Sequence, residues 1–181
     1  LSFTDVRSGA WYDSAVTFCA ARGITTGTTD TAFSPDKAVT RGQFIVMLLR
    51  AYGIEPDSNP ADNFADAGNT YYTNYLAKAK SLGISGGKGN NLFAPDEEIS
   101  RQQMFTMLYR ALSQLNEIPA ATVNKTLTDF NDAVLVPDYA RDAATALIRC
   151  GIVTGNGGVL DPNGHATRAQ IVQIFYSLLS K

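Results

Sequence analysis

The chain is poor in the residues that metal and redox chemistry require. It has two cysteines and one histidine in 181 residues, and Cys19, Cys150 and His165 show no Cys-x-x-Cys or Cys/His spacing, so a zinc site is excluded. Long apolar runs are missing as well. Nothing approaches the roughly 20 residues that span a bilayer, and no basic-then-apolar leader opens the chain, so membrane insertion is not expected. Runs of one charge are also missing. The 15 Lys and Arg are interspersed with 17 Asp and Glu for a net charge of -2, which leaves no broad cationic face for nucleic acid. His165 has no nucleophile or orienting group in a nearby motif, so no catalytic centre and no cofactor are expected. Loop residues such as Asp30, Asp36 and Asn90 do not make an EF-hand, and calcium dependence stays open. The cysteines read as two buried thiols or, alternatively, as a long-range disulfide. Because the first residue is Leu rather than Met, the chain reads as a segment of a longer polypeptide or a processed form.

What the chain has in abundance is repetition. Thr40-Arg41-Gly42-Gln43, Ser100-Arg101-Gln102-Gln103 and Thr167-Arg168-Ala169-Gln170 each precede an apolar run. Each is a capping box, in which the Ser/Thr oxygen accepts the N–H three residues on and the Gln side chain reaches back to the cap's own N–H. The arginine is the anomaly, because a first helical turn lies at the positive end of the helix dipole, where acids are favoured.

Outward from these boxes a longer unit emerges. Phe3-Thr4-Asp5, Phe64-Ala65-Asp66 and Phe130-Asn131-Asp132 open the copies, and Trp11, Tyr71 and Tyr139 each stand twelve residues before a Gly-Ile pair. Those pairs begin the strings Gly23 to Gly27, Gly83 to Gly87 and Gly151 to Gly155, followed by Phe33-Ser34-Pro35, Phe93-Ala94-Pro95 and Leu160-Asp161-Pro162. The box arginines are spaced 60 and 67 positions apart. The repeats read as 1–55, as 56–117 with a linker, and as 118–181 with a linker.

Apolar residues at helical spacing between the opening Asp and the Gly-Ile pair predict a first helix of about three turns. The box predicts a second, and the glycines are expected as C-terminal caps with positive φ. Pro56, Pro60 and Pro119 are expected to stop the preceding helices, with a short turn within 120–127. A repeat this small cannot bury its own core, so one compact all-α unit is expected, in which three helix-loop-helix copies close as a pseudo-threefold bundle with clefts between neighbours.

The ordered set Phe-x-Asp, aromatic, Gly-Ile-x-x-Gly, Phe-x-Pro and Thr-Arg-x-Gln resembles the surface-layer homology (SLH) repeat, three times over essentially the whole chain. The family's hallmark tetrapeptide is Thr-Arg-Ala-Glu; Gln replaces its last residue in every copy, which keeps the cap and removes a negative charge beside the arginine. The resemblance implies a three-pronged spindle around a central helical bundle. It further implies a monomeric, non-catalytic module of a larger surface or S-layer protein, extracellular at the cell wall. The implied partner is a secondary cell wall polysaccharide whose N-acetylmannosamine carries a pyruvate ketal, held in grooves between repeats. Carried over residue by residue, Arg41, Arg101 and Arg168 fall near the acidic sugar, Asp5, Asp66 and Asp132 accept hydroxyl or amide bonds, and Trp11, Tyr71 and Tyr139 wall the sugar face. Glycines such as Gly27, Gly87 and Gly155 let a ligand approach the main chain. A guanidinium suits a carboxylate through two parallel N–H donors, and N–H groups at a helix start are expected to add to it.

Each residue also has a structural reading. The arginines suit surface ion pairs with a neighbouring repeat, the aspartates suit capping or loop bracing, and helical aromatics suit the core. Glu97 and Glu98, just before Ser100-Arg101, are expected either to pair with Arg101 or to repel an anion there, which favours the sites of Arg41 and Arg168. A carbohydrate-active enzyme with paired carboxylates is the alternative function, but the aspartates are spread over three sites with no distinctive acid/base pair in any. A protein-binding or self-assembly module is the third reading, and it calls for a large exposed apolar patch.

Overall fold

The structure, a computed structural model, describes residues 2–180. Its six α-helices are α1 (Asp13–Ala21), α2 (Arg41–Ala51), α3 (Thr73–Ser81), α4 (Arg101–Leu115), α5 (Asp138–Arg149) and α6 (Arg168–Leu179), with short 3-10 turns at Leu127–Asp129 and Ala133–Leu135. Among the described residues, β pairing is limited to isolated bridges, so the class is all-α.

Every capping box closes as its residues dictate. In α2 the Gln43 N–H donates to Thr40 Oγ1 at 3.3 Å and the Thr40 N–H donates to Gln43 Oε1 at 3.1 Å. The same reciprocal pair forms at Ser100 with Gln103 and at Thr167 with Gln170. The opposite ends of α1, α3 and α5 are equally regular, because Gly23, Gly83 and Gly151 take φ of 68°, 70° and 71°. The next N–H then turns back, Ile24 to the Cys19 carbonyl, Ile84 to Ala79 and Ile152 to Leu147, which is the double-bonded glycine C-cap.

Three local expectations need correction. Trp11 and Tyr71 precede their helices, which begin at Asp13 and Thr73, and only Tyr139 lies within one. The prolines do not stop the helices: Gly53 ends α2 with the same glycine cap, and Asn116, at φ 57°, ends α4. The turn expected within 120–127 falls at Leu127–Asp129, and the turn at Ala133–Leu135 was not foreseen.

Packing joins different repeats. Helix α2 packs on α3, α4 on α5 and α6 on α1, so each box helix pairs with the first helix of the following copy and the last copy returns to the first. The plugs Phe33, Phe93 and Leu160 are buried in one apolar cluster that runs through all three copies. Where the segments before the boxes meet, the backbone closes a ring: Val39 N–H donates to the Ala166 carbonyl, Ala166 N–H to Ile99, and Ile99 N–H to Val39, at 3.1, 3.3 and 2.8 Å. The three residues are fully buried.

Cys19 and Cys150 are buried thiols; desolvation pushes Cys19 up to about 12, and Cys150 donates to the Pro119 carbonyl. With the caps complete in the folded state, Thr40→Ala, Ser100→Ala and Thr167→Ala are each expected to cost about 1 kcal/mol in urea unfolding, with an unchanged denaturant slope.

Candidate functional site

The arginine anomaly resolves in the contacts between copies. Arg41 donates Nε to the Phe93 carbonyl at 2.8 Å, Arg101 to Leu160 at 2.7 Å and Arg168 to Phe33 at 2.6 Å, so each box arginine ties the plug of the next copy. Its backbone N–H does the same, because Arg41, Arg101 and Arg168 donate to the carbonyls of Glu97, Gly164 and Lys37. The residue after it bonds Pro95, Pro162 or Pro35. Together with the two bonds of the capping box these bonds use all four orphan donors of the helix start. Hence the expectation that helix-start N–H groups add to a ligand site is overturned.

The ion-pair reading of the arginines is displaced too. Arg41 and Arg168 are only 2% and 5% exposed, and among the described residues none of the three lies within ion-pair distance of a carboxylate. Burial pulls each guanidinium below the ordinary arginine value; Glu97 opposes this at Arg41, Asp161 at Arg101 and Tyr71 at Arg168. The outer nitrogens remain largely uncommitted. Among the described residues Arg41 makes no hydrogen bond through either Nη, Arg101 uses only Nη1, to Gln170 Oε1 at 3.4 Å, and Arg168 only Nη2, to Thr25 Oγ1 at 2.9 Å.

The aspartates brace loops. Asp5 accepts Phe33 N–H and Ser34 N–H, Asp66 accepts Phe93 N–H and Ala94 N–H, and Asp132 accepts Leu160 N–H and Asp161 N–H, all between 2.7 and 2.8 Å. Desolvation works to raise Asp5 and Asp66, but the backbone N–H bonds, joined by the nearby arginine, outweigh it and hold both below the ordinary value. Gly27, Gly87 and Gly155 serve the same loops: each has positive φ, and a Cβ there would strike the opening Phe3, Phe64 or Phe130 ring.

The aromatics reverse the core reading. Trp11, Tyr71 and Tyr139 are 62%, 59% and 53% exposed. Trp11 is propped edge-on by Tyr12 at 5.2 Å between ring centroids, and Tyr71 by Tyr72 at 5.3 Å. Copy three has Ala140 at that position and lacks the prop.

These pieces assemble across copies into three grooves. The first, about 480 Å³, brings together Tyr71 of copy two, Arg168 of copy three and the Gly27 loop with Gln43 of copy one. The second, about 360 Å³, takes Tyr139 of copy three, Arg41 of copy one and the Gly87 loop with Gln103 of copy two. The third, about 850 Å³, takes Trp11 of copy one, Arg101 of copy two and the Gly155 loop with Gln170 of copy three. Each groove therefore needs all three copies. Of the braced aspartates, only Asp132 also lines one.

Sequence reasoning misplaced the acidic pair and missed two arginines. Glu97 forms an ion pair with Lys88 beside Arg41, and Glu98 lies 3.6 Å from His165, so neither pairs with Arg101. Arg50 and Arg110 line the Tyr71 and Tyr139 grooves. Their signal was present in the register, since both stand nine residues after a box arginine.

The fold and its grooves define a closed, three-repeat helical binding module. The family model of the S-layer homology domain matches residues 2–45, 63–105 and 129–172, and the chain belongs to that family. It is 35% identical to an endoglucanase of Bacillus sp. (strain KSM-635), 33% identical to an amylopullulanase of Thermoanaerobacterium thermosulfurigenes and 29% identical to S-layer protein EA1 of Bacillus anthracis, over 99% of this chain in each case. The chain spans only 19%, 10% and 20% of those proteins, so the likeness to the two enzymes is confined to that fraction. Family membership makes the chain a cell-wall anchoring module of the cell wall or cell surface. No helix among the described residues is long and apolar enough to cross a membrane.

The geometry separates structural from exposed groups. Arg41→Ala strands the Phe93 carbonyl and is expected to cost about 2–3 kcal/mol in chemical unfolding, whereas Trp11→Ala stays within about 0.5 kcal/mol. Because the folded Asp66 carboxyl is held low, its stabilisation is complete above the ordinary aspartate range, near 3.8, and is lost as pH falls through the folded value. Unfolding midpoints measured downward from about pH 5 should therefore fall more steeply for the parent chain than for Asp66→Asn.

Proposed function

We propose that this module anchors its parent protein by binding an anionic secondary cell wall polysaccharide in the grooves between repeats, with the carboxylate of a pyruvate-ketal sugar as the group recognised. One observation carries the reading: each groove sets a guanidinium with uncommitted outer N–H donors beside an exposed aromatic face. The guanidinium is already oriented by its Nε bond to the next copy, so little side-chain freedom remains to be lost on binding. A carboxylate then accepts from the outer nitrogens, and it does so where partial burial strengthens a charge-assisted bond. Trp11, Tyr71 or Tyr139 covers the apolar face of the sugar ring, and the amide of Gln43, Gln103 or Gln170 has an Nε2 donor for a hydroxyl or acetamido group.

Asp5, Asp66 and Asp132 enter this reading as loop braces that shape the grooves, since both oxygens of each already accept backbone N–H groups. The module is taken as a non-catalytic, monomeric part of a larger surface protein.

The test is titration of the purified chain with isolated wall polymer before and after chemical removal of the pyruvate. Loss of the ketal is expected to weaken binding at least about tenfold, the scale of one lost charge-assisted contact. Equal binding of both polymers would remove the carboxylate from the mechanism. Trp11→Ala is expected to weaken binding without unfolding the chain.

A further inference from the structure

The three grooves share a plan but differ in charge. The Tyr71 groove is lined by Arg168, Arg50 and Lys37, with no Asp or Glu in its lining. The Tyr139 groove is lined by Arg41, Arg110 and Lys88, again with no acid in the lining, although Glu97 is ion-paired to Lys88. The Trp11 groove, the largest, has Arg101 and His165 against Asp132 and Asp161.

Two substitutions between copies contribute to the difference, beside the lysines Lys37 and Lys88, whose equivalents in copy three are Gly164 and Asn156. The position nine after the box arginine is Arg50 in copy one and Arg110 in copy two, but Ser177 in copy three. The position after the plug is Ser34, Ala94 and Asp161, and all three have positive φ between 51° and 58°, so Asp161 adds an acid on the same backbone. Arg50 is held by its Nε bond to Tyr75 Oη at 3.2 Å, leaving its Nη donors without a hydrogen-bond partner among the described residues. Arg50, from copy one, and Arg168, from copy three, line the same groove as Tyr71.

We infer that the grooves divide the work: the Tyr71 and Tyr139 grooves each read two acidic groups on neighbouring parts of the glycan, and the Trp11 groove reads a segment with one. This rests on the proposed carboxylate-binding function and refines it. The first acid meets the box arginine, as in every groove. A second, carboxylate or phosphate, meets Arg50 or Arg110, for which the third groove has no counterpart. In the Trp11 groove a second anion faces Asp161, and like charges at short range oppose it.

The experiment compares three synthetic probes on the labelled full chain: pyruvate-ketal N-acetylmannosamine alone, the same sugar joined to a uronic acid, and the same sugar joined to a phosphate. Affinities are read groove by groove from the amide resonances of Gly27, Gly87 and Gly155. At the Tyr71 and Tyr139 grooves at least one two-acid probe is expected to bind about tenfold tighter than the ketal alone, the scale of one added charge-assisted contact, and the better of the two identifies the second acid. At the Trp11 groove no gain is expected. Arg50→Ser erases the gain in the Tyr71 groove and leaves it in the Tyr139 groove; Arg110→Ser does the reverse. Asp161→Ser combined with Ser177→Arg creates a gain in the Trp11 groove. The same ratio in all three grooves, or ratios unmoved by these variants, overturns the inference while ketal binding keeps the carboxylate reading intact. If the ketal sugar binds in no groove, both fall.

Discussion

The structure depends on an exchange of hydrogen bonds in which no repeat completes its own helix start. A helix leaves its first backbone N–H groups without partners, and the capping box satisfies only part of that demand. The remaining donors, at Arg41 and Gly42, Arg101 and Gln102, and Arg168 and Ala169, find carbonyls in the loop of the following copy. The box arginine adds its side chain to the same loop. Because copy three returns to copy one, the exchange is a closed cycle, and the Val39, Ile99 and Ala166 ring closes it again where the copies meet. A single repeat would leave both donors and carbonyls unmet, so the three stand or fall together.

That cycle is also what builds the grooves. Tying an arginine of one copy to the plug of the next sets its outer nitrogens at the boundary, where the glycine loop of the second copy and an aromatic of the third already stand. In the proposed mode of binding, folding and recognition use different atoms of one side chain: Nε holds the neighbour, and the Nη groups are left for the ligand. The aspartates show the opposite allocation, since both oxygens are spent on the loop. A repeated framework of this kind tolerates change at its rim. Asp161 in place of Ser34 or Ala94, and Ser177 in place of Arg50 or Arg110, alter groove charge without touching the exchange.

Much of this was legible in the chain because it is local. Capping boxes, glycine caps and plug residues follow from short-range stereochemistry, and their threefold recurrence fixed the repeat, the all-α class and the family. Local signals misled where tertiary context took over. Large rings favour burial, which is the core reading of the aromatics, yet Trp11 and Tyr71 stand before their helices and project from the surface. Glu97 precedes Ser100-Arg101 in sequence but lies beside Arg41, because the loop carrying it caps the helix of the copy before.

By itself, then, the sequence determined where the box helices begin and where the first helix of each copy ends, how many copies there are, and which residue types recur in each. Those are properties of a few consecutive residues. Only the tertiary structure decided which copy each arginine serves, that the helix-start donors and aspartates are already committed, and that every groove draws on three copies at once. Residues more than a hundred positions apart, such as Arg168 and Phe33, meet through a cyclic closure that no single repeat encodes.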